Sequence, residues 1–212
     1  MTAAGCPPLP GVNRVEAGYS CPLAMEQVQA LVQSGLYERV IVAASWDGYF
    51  RADSPICAWT NGQCDAKLSS PEYARDNFQQ AERLWRLWVQ RGVQVFVALP
   101  EPTLRFNQPR EMARRTFLGL NMASAESVDV KDYFDENGLV RSFLERAADH
   151  AGAVIIDPAA QLCTNIECRF VDDMGAPILR DSNHLRASWV IKAMHYPDAI
   201  LIYPSLTMHQ IK

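Results

Sequence analysis

Three times along this chain a helix-like stretch ends at a glycine and gives way at once to a short apolar run: Gly35 before residues 39–44, Gly92 before 93–99, and Gly152 before 153–156. Runs such as Val40-Ile41-Val42 and Val95-Phe96-Val97 leave no polar face, so strands formed from them must be covered on both sides. That pattern predicts an α/β fold, a three-layer α/β/α arrangement around a mostly parallel central sheet. Ligands in such folds sit beyond the carboxyl ends of the strands. Here those places hold Ser45-Trp46-Asp47-Gly48-Tyr49, Pro100-Glu101-Pro102 and Asp157-Pro158.

The intervening helices follow from periodicity and end signals. Met25, Val28, Leu31 and Val32 recur at helical spacing and predict a helix over 25–34. Ser69-Ser70-Pro71-Glu72 supplies a cap, a proline for the first turn and an acid beside it, and Phe78, Leu84, Trp85 and Trp88 carry the pattern to Gly92. Trp85 is read as core and Trp88 as helix surface. A third helix is expected over 139–150. Residues 168–171 and 176–179 are read as a hairpin around Asp172-Asp173-Met174-Gly175, and 49–69 is the longest stretch without an assigned element.

A chain of 212 residues, 49% hydrophobic, can bury one substantial core, so a single domain over 1–212 is expected. Its net charge of -4 and scattered cations offer nothing to a phosphate backbone, which excludes nucleic acid as the expected partner. No apolar run approaches the roughly 18 residues of a membrane span, and Met1 to Cys6 lacks the pattern of a secretion signal. The six cysteines point the other way. They fall as sequence neighbours, Cys6 with Cys21, Cys57 with Cys64 and Cys163 with Cys168, with turn-forming residues between partners; proximity favours these pairs, although sequence alone does not fix them. Cys-x-x-Cys and Cys/His clusters are absent, so neither a metal site nor a cofactor is expected. Disulfides imply an oxidising compartment, hence an export signal or membrane anchor outside these residues.

The segment that carries chemistry is Arg180-Asp181-Ser182-Asn183-His184-Leu185. A serine nucleophile needs a histidine to take its proton and a carboxylate to hold that histidine in the correct tautomer. With Asp181 in a loop and His184 in the first turn of a helix, the three-residue spacing places both side chains on one side of the backbone. The same residues also suit an ordinary helix start capped by Asp181. Ser182 is read as a capping residue and His195 as a packing residue on the same helical face.

Taken with Ile156-Asp157-Pro158, Leu162-Cys163, Cys168 and Gly175, this segment resembles the end of an SGNH domain. More narrowly, it resembles the extracytoplasmic SGNH domain fused to bacterial acyltransferase-3 membrane proteins, which O-acetylate surface polysaccharides. Cys6-Pro7-Pro8-Leu9, Cys21, residues 40–46 with Tyr49, and Leu99-Pro100-Glu101-Pro102 extend the resemblance over most of the chain. The resemblance implies an SGNH/flavodoxin-like sheet and acyl transfer in which His184 acts as base and then acid while Asp181 orients it. It implies a carbohydrate hydroxyl as acceptor, or water in an esterase, a membrane acyltransferase-3 domain on the parent polypeptide, and a periplasmic or other extracytoplasmic location.

The departures are as informative. The family's nucleophile lies in a Gly-Asp-Ser block ending the first strand, and no Gly-Asp-Ser occurs here, so the first strand and helix of the fold are expected to be missing from this chain. Ala43-x-Ser45 resembles a nucleophile elbow, but the required glycines are absent, so the nucleophile stays unassigned with Ser45 as the weak candidate within the sequence. Trp46 and Tyr49 are read as lining a substrate pocket, with core packing as the competing role for both. The isolated chain is expected to be inactive, and a non-catalytic carbohydrate-binding or scaffold domain is the rival reading.

Overall fold

The structure is a computed structural model that describes residues 5–202, so the reading of residues 1–4 for a signal lies outside it. In chain order the elements begin with β1 (Val12–Arg14), α1 (Cys21–Gln33), β2 (Arg39–Val42), α2 (Trp46–Phe50), β3 (Ile56–Thr60), β4 (Gln63–Lys67), α3 (Pro71–Gln90) and β5 (Gln94–Ala98). They continue with α4 (Gln108–Leu118), α5 (Ala123–Glu126), β6 (Ser127–Asp129), α6 (Val130–Ala151), β7 (Val154–Ile156), α7 (Ala159–Leu162), β8 (Glu167–Arg169), α8 (Ala187–Ala193) and α9 (Ala199–Ile202). Among the described residues two compact units make up the chain read as one domain: 5–100, Leu139–Ile156 and Ile202 belong to the first, and Glu101–Gly138 with Asp157–Leu201 form the second.

The three glycine-to-strand transitions produce the parallel sheet of the first unit. Strand β2 pairs with β5, Arg39 opposite Gln94 and Val42 opposite Val97, and β5 pairs with β7, Phe96 opposite Val154. The result is the α/β class read from sequence, consistent with a three-layer α/β/α arrangement. Gly35, Gly92 and Gly152 all adopt positive φ, the conformation that ends a helix without a Cβ penalty. Helix α3 presents Phe78, Ala81, Trp85 and Trp88 to the core; Trp88, read as helix surface, is buried because it falls three residues beyond Trp85 on the same stripe. Phe78 stacks between Phe50 and Phe143, with 5.4 Å between centroids on either side. Ser70 stands at the N-cap position of α3 but makes no side-chain capping bond.

Two elements depart from the sequence reading. The unassigned 49–69 stretch is a β-hairpin, β3 with β4, that adds β1 to form an antiparallel sheet in order β1-β3-β4. Asn61 (φ 52°) and Gly62 (φ 84°) form a two-residue turn with both φ positive, the geometry that Asn-Gly supplies most readily. Helix α6 begins at Val130 rather than 139. Asp129 accepts from the Lys131 N–H at 2.7 Å, Lys131 pairs with Asp135, and Tyr133, Asn137, Val140 and Leu144 form the buried stripe. Asn137 and Gly138 hid that stripe, one polar and one a helix breaker.

All three neighbour pairs of cysteines are disulfides: Cys6–Cys21, Cys57–Cys64 and Cys163–Cys168. Each lies within one unit, and together they fit an oxidising, extracytoplasmic environment. Among the described residues no helix is long and apolar enough to cross a membrane.

Two glycine-to-alanine changes should have opposite signs. Gly62→Ala meets no atom within 4 Å but must hold a left-handed conformation, costing about 1–2 kcal/mol, whereas Gly138→Ala in the interior of α6 adds about 0.4–1 kcal/mol. Denaturant unfolding of the two variants against the parent chain checks both signs.

Candidate active site

In the second unit, the chain that leads to Asp181 is shaped by a turn and by a core beneath it. Asp172 Oδ1 accepts from the Met174 and Ala176 amides at 3.0 and 2.9 Å, and Gly175 takes positive φ, which closes the expected turn. The hairpin read around this turn is present as a Val171–Pro177 bridge flanked by an Asp172 N–H to Ala176 C=O bond of 2.9 Å and an Ile178 N–H to Phe170 C=O bond of 2.8 Å, without extended strands on either arm. Pro177 has no N–H to donate, and β8 pairs instead with β6, Val128 opposite Cys168. Phe170, Ile178 and Leu179 are buried with Leu104, Tyr133 and Cys168 in the core of this unit.

From Leu179 the chain makes a second, tighter reversal. Leu179 bridges Leu185, the Arg180 N–H donates to the His184 C=O at 2.7 Å, and the Arg186 N–H donates to the Ile178 C=O at 2.7 Å. Asp181, Ser182 and Asn183 occupy the tip. His184 is therefore not in the first turn of a helix, because α8 begins only at Ala187. Asp181 makes the bonds expected of a helix cap, accepting from the Asn183 and His184 amides at 3.1 and 2.9 Å, but they close a side-chain-to-backbone turn with no helix after it.

That turn sets the geometry of the pair. His184 Nδ1 lies 3.0 Å from Asp181 Oδ1 and 2.9 Å from Oδ2. The backbone hydrogen bonds from Asn183 and His184 first, and the His184 side chain after them, hold the Asp181 carboxyl at about 2, below its ordinary 3.8. An ionised carboxylate only accepts, so Nδ1 carries the proton and Nε2 presents a lone pair. The His184 side chain is 63% exposed, and its proton-accepting nitrogen belongs to a ring that solvent and ligands can reach. Arg186 Nη2 donates to Asp172 Oδ2 at 3.1 Å, tying the outgoing arm of the reversal to the preceding turn.

The other sequence candidates are placed as follows. Ser45, in the first unit, is exposed and its hydroxyl donates to Asp47 Oδ1 at 3.0 Å. Trp46 is 1% exposed and donates its indole N–H to the Ala98 C=O at 2.7 Å, so the ring sits in the core of that unit. Tyr49 is half-buried against the same core, and burial raises its hydroxyl pKa. Ser182 Oγ donates to Asn183 Oδ1 at 3.4 Å instead of capping a helix. His195, read as a packing residue, lies past the end of α8 and is exposed beside Asp198, 3.3 Å away. Among the described residues no cluster of three or more His, Cys, Asp or Glu side chains is arranged to hold a metal ion.

Two contacts to the tip escaped sequence reasoning: the Leu104 N–H donates to the Ser182 C=O at 3.0 Å, and the Gln108 N–H donates to the Asp181 C=O at 3.2 Å. Asn107-Gln108-Pro109 marks a helix start, and Asn107 does accept from the Arg110 amide, but no local signal announces a partner some 70 residues away.

The family model for the SGNH domain fused to acyltransferase-3 (AT3) domains matches residues 1–191. The chain belongs to this SGNH family. Among curated proteins and among solved structures nothing matches it. The SGNH assignment supports an acyltransferase- or esterase-like function and an acyltransferase-3 domain as partner.

The lowered Asp181 pKa makes a pH prediction with a definite sign. A depressed folded-state pKa contributes stability that is fully present above the unfolded value near 3.8 and is lost as pH falls through about 2. The stability difference between the parent chain and Asp181→Asn should therefore shrink as pH falls between about pH 4 and 2, as read by denaturant unfolding at stepped pH.

Proposed function

We propose that this SGNH domain transfers an O-acyl group, acetyl, to a carbohydrate hydroxyl of a bacterial surface polysaccharide on the extracytoplasmic side of the membrane. The observation that carries the reading is the His184 imidazole held through Nδ1 by an ionised Asp181 with Nε2 left to accept a proton. In this reading Nε2 takes the proton of a serine hydroxyl as the serine oxygen bonds to the acyl carbonyl carbon. Asp181 stabilises the imidazolium, which returns the proton to the departing donor oxygen as the acyl–oxygen bond breaks. An acceptor hydroxyl then gives its proton to Nε2 and attacks the acyl-serine carbonyl, and the imidazolium returns that proton to the serine oxygen as its bond to the acyl carbon breaks.

The serine is supplied from outside residues 1–212, in the Gly-Asp-Ser block that the family places at the end of its first strand. A cleft of about 570 Å³ in the second unit is lined by Leu104, Phe106, Val128 and Tyr133 beside Arg105, Asp132 and Glu136. That volume falls within the roughly 300–1,000 Å³ of ligand clefts, and aromatic faces beside carboxylates and a guanidinium are compatible with a sugar acceptor. The parent polypeptide's acyltransferase-3 domain is the proposed acyl donor side.

In the complete polypeptide, His184→Ala should lower acetyl transfer by about 10²–10⁴-fold, and Asp181→Asn should lower it by up to about 10⁴-fold while polypeptide abundance is unchanged. Polysaccharide-bound acetate is the measured quantity. Unchanged acetylation in His184→Ala removes the catalytic reading and leaves a scaffold domain.

A further inference from the structure

Gln108 is completely buried, yet none of its polar groups is idle. Its two Nε2 protons go to the Ala125 C=O at 3.0 Å and the Phe170 C=O at 2.7 Å, and Oε1 accepts from the Leu179 N–H at 3.2 Å. Its own backbone N–H donates to the Asp181 C=O at 3.2 Å. One residue thus grips the Asp181–His184 reversal twice, at the last buried residue before the loop and at the tip.

A glutamine is otherwise a poor choice for this place. Leu104, Tyr133, Phe170, Ile178 and Leu179 form an apolar core there, and an apolar side chain of similar volume would fill it without desolvating an amide. The amide instead joins three backbone groups from segments that no regular sheet connects. In a water-poor setting such a set is strong when complete and costly when broken, so it specifies one arrangement. The tip itself is partly exposed and short, and the turn inside it fixes His184 only relative to Asp181. What fixes Asp181 relative to the rest of the unit is the pair of carbonyls handed to Leu104 and Gln108.

We propose that Gln108 is a positioning residue for the Asp181–His184 pair, acting through the backbones of Leu179 and Asp181. The proposal rests on the catalytic reading of that pair but is tested without turnover, so either can fail alone. Gln108 touches neither Nε2 nor the carboxylate, and its effect appears as a change in the state of those groups.

The experiment follows two nuclear magnetic resonance signals in the disulfide-bonded chain: the ¹⁵N shifts of His184 when neutral, which report its tautomer, and the Asp181 carboxyl carbon through an acid titration. The parent chain should show predominantly the Nδ1–H tautomer. Gln108→Met, which keeps the volume and removes the amide, should shift His184 toward the Nε2–H form favoured in solvent. It should also raise the Asp181 midpoint by about one pH unit as its backbone donors disengage. Gln108→Asn, with an amide one methylene too short, should move both signals the same way and serves if the methionine variant does not fold. Asn77→Ala is the control for lost stability alone: Asn77 is also buried and bonds the Pro10 and Gly11 carbonyls, in the first unit. Its removal should lower the melting temperature and leave both signals in place. A Gln108 variant that loses stability with the His184 tautomer and the Asp181 midpoint unchanged overturns the proposal.

Discussion

The Asp181 carboxylate takes three donors at once: the amides of Asn183 and His184 and the Nδ1–H of His184. The first two make the turn and the third makes the Asp181–His184 pair, so the local conformation and the proposed chemistry share one group. The backbone amides are the largest cause of its low pKa, so the turn keeps the carboxylate ionised below its ordinary 3.8 and fixes its direction toward His184. In this Asp-x-x-His segment one carboxylate accepts from the histidine's own amide and also faces its ring.

This explains which parts of the site could be read from sequence. Asp181 and His184 were legible because their partnership is local, and the same locality made them look like a helix start. A cap and this turn use the same i+2 and i+3 amides, and only the later start of α8 separates them. Gln108 and Leu104 were not legible, since their bonds to the tip run between segments far apart in sequence. Trp46 shows the converse: its position after β2 suggested a ligand contact, while its indole is spent on the Ala98 carbonyl inside the core.

The fold was readable to the same extent and for the same reason. Apolar runs behind glycine stops gave β2, β5 and β7, but the two-sided cover expected for all three holds only for the central β5, since Ile41 of β2 and Ile155 of β7 are exposed. The β3–β4 hairpin was missed although Asn61-Gly62 is a strong turn signal, because Gln63-Cys64-Asp65-Ala66-Lys67 is too polar to read as a strand; its pairing and the Cys57–Cys64 bond hold it. The first half of α6 was lost behind Asn137 and Gly138, where a polar side chain sits on the buried stripe.

The central claim is that His184 and Asp181 are the acid–base half of a triad whose serine lies outside residues 1–212. Covalent labelling of the complete polypeptide with an activated phosphonate ester, followed by peptide mass mapping, tests it most directly. The account predicts label on one serine beyond these residues and its loss in His184→Ala. Label on Ser45, or labelling equal with and without His184, contradicts it.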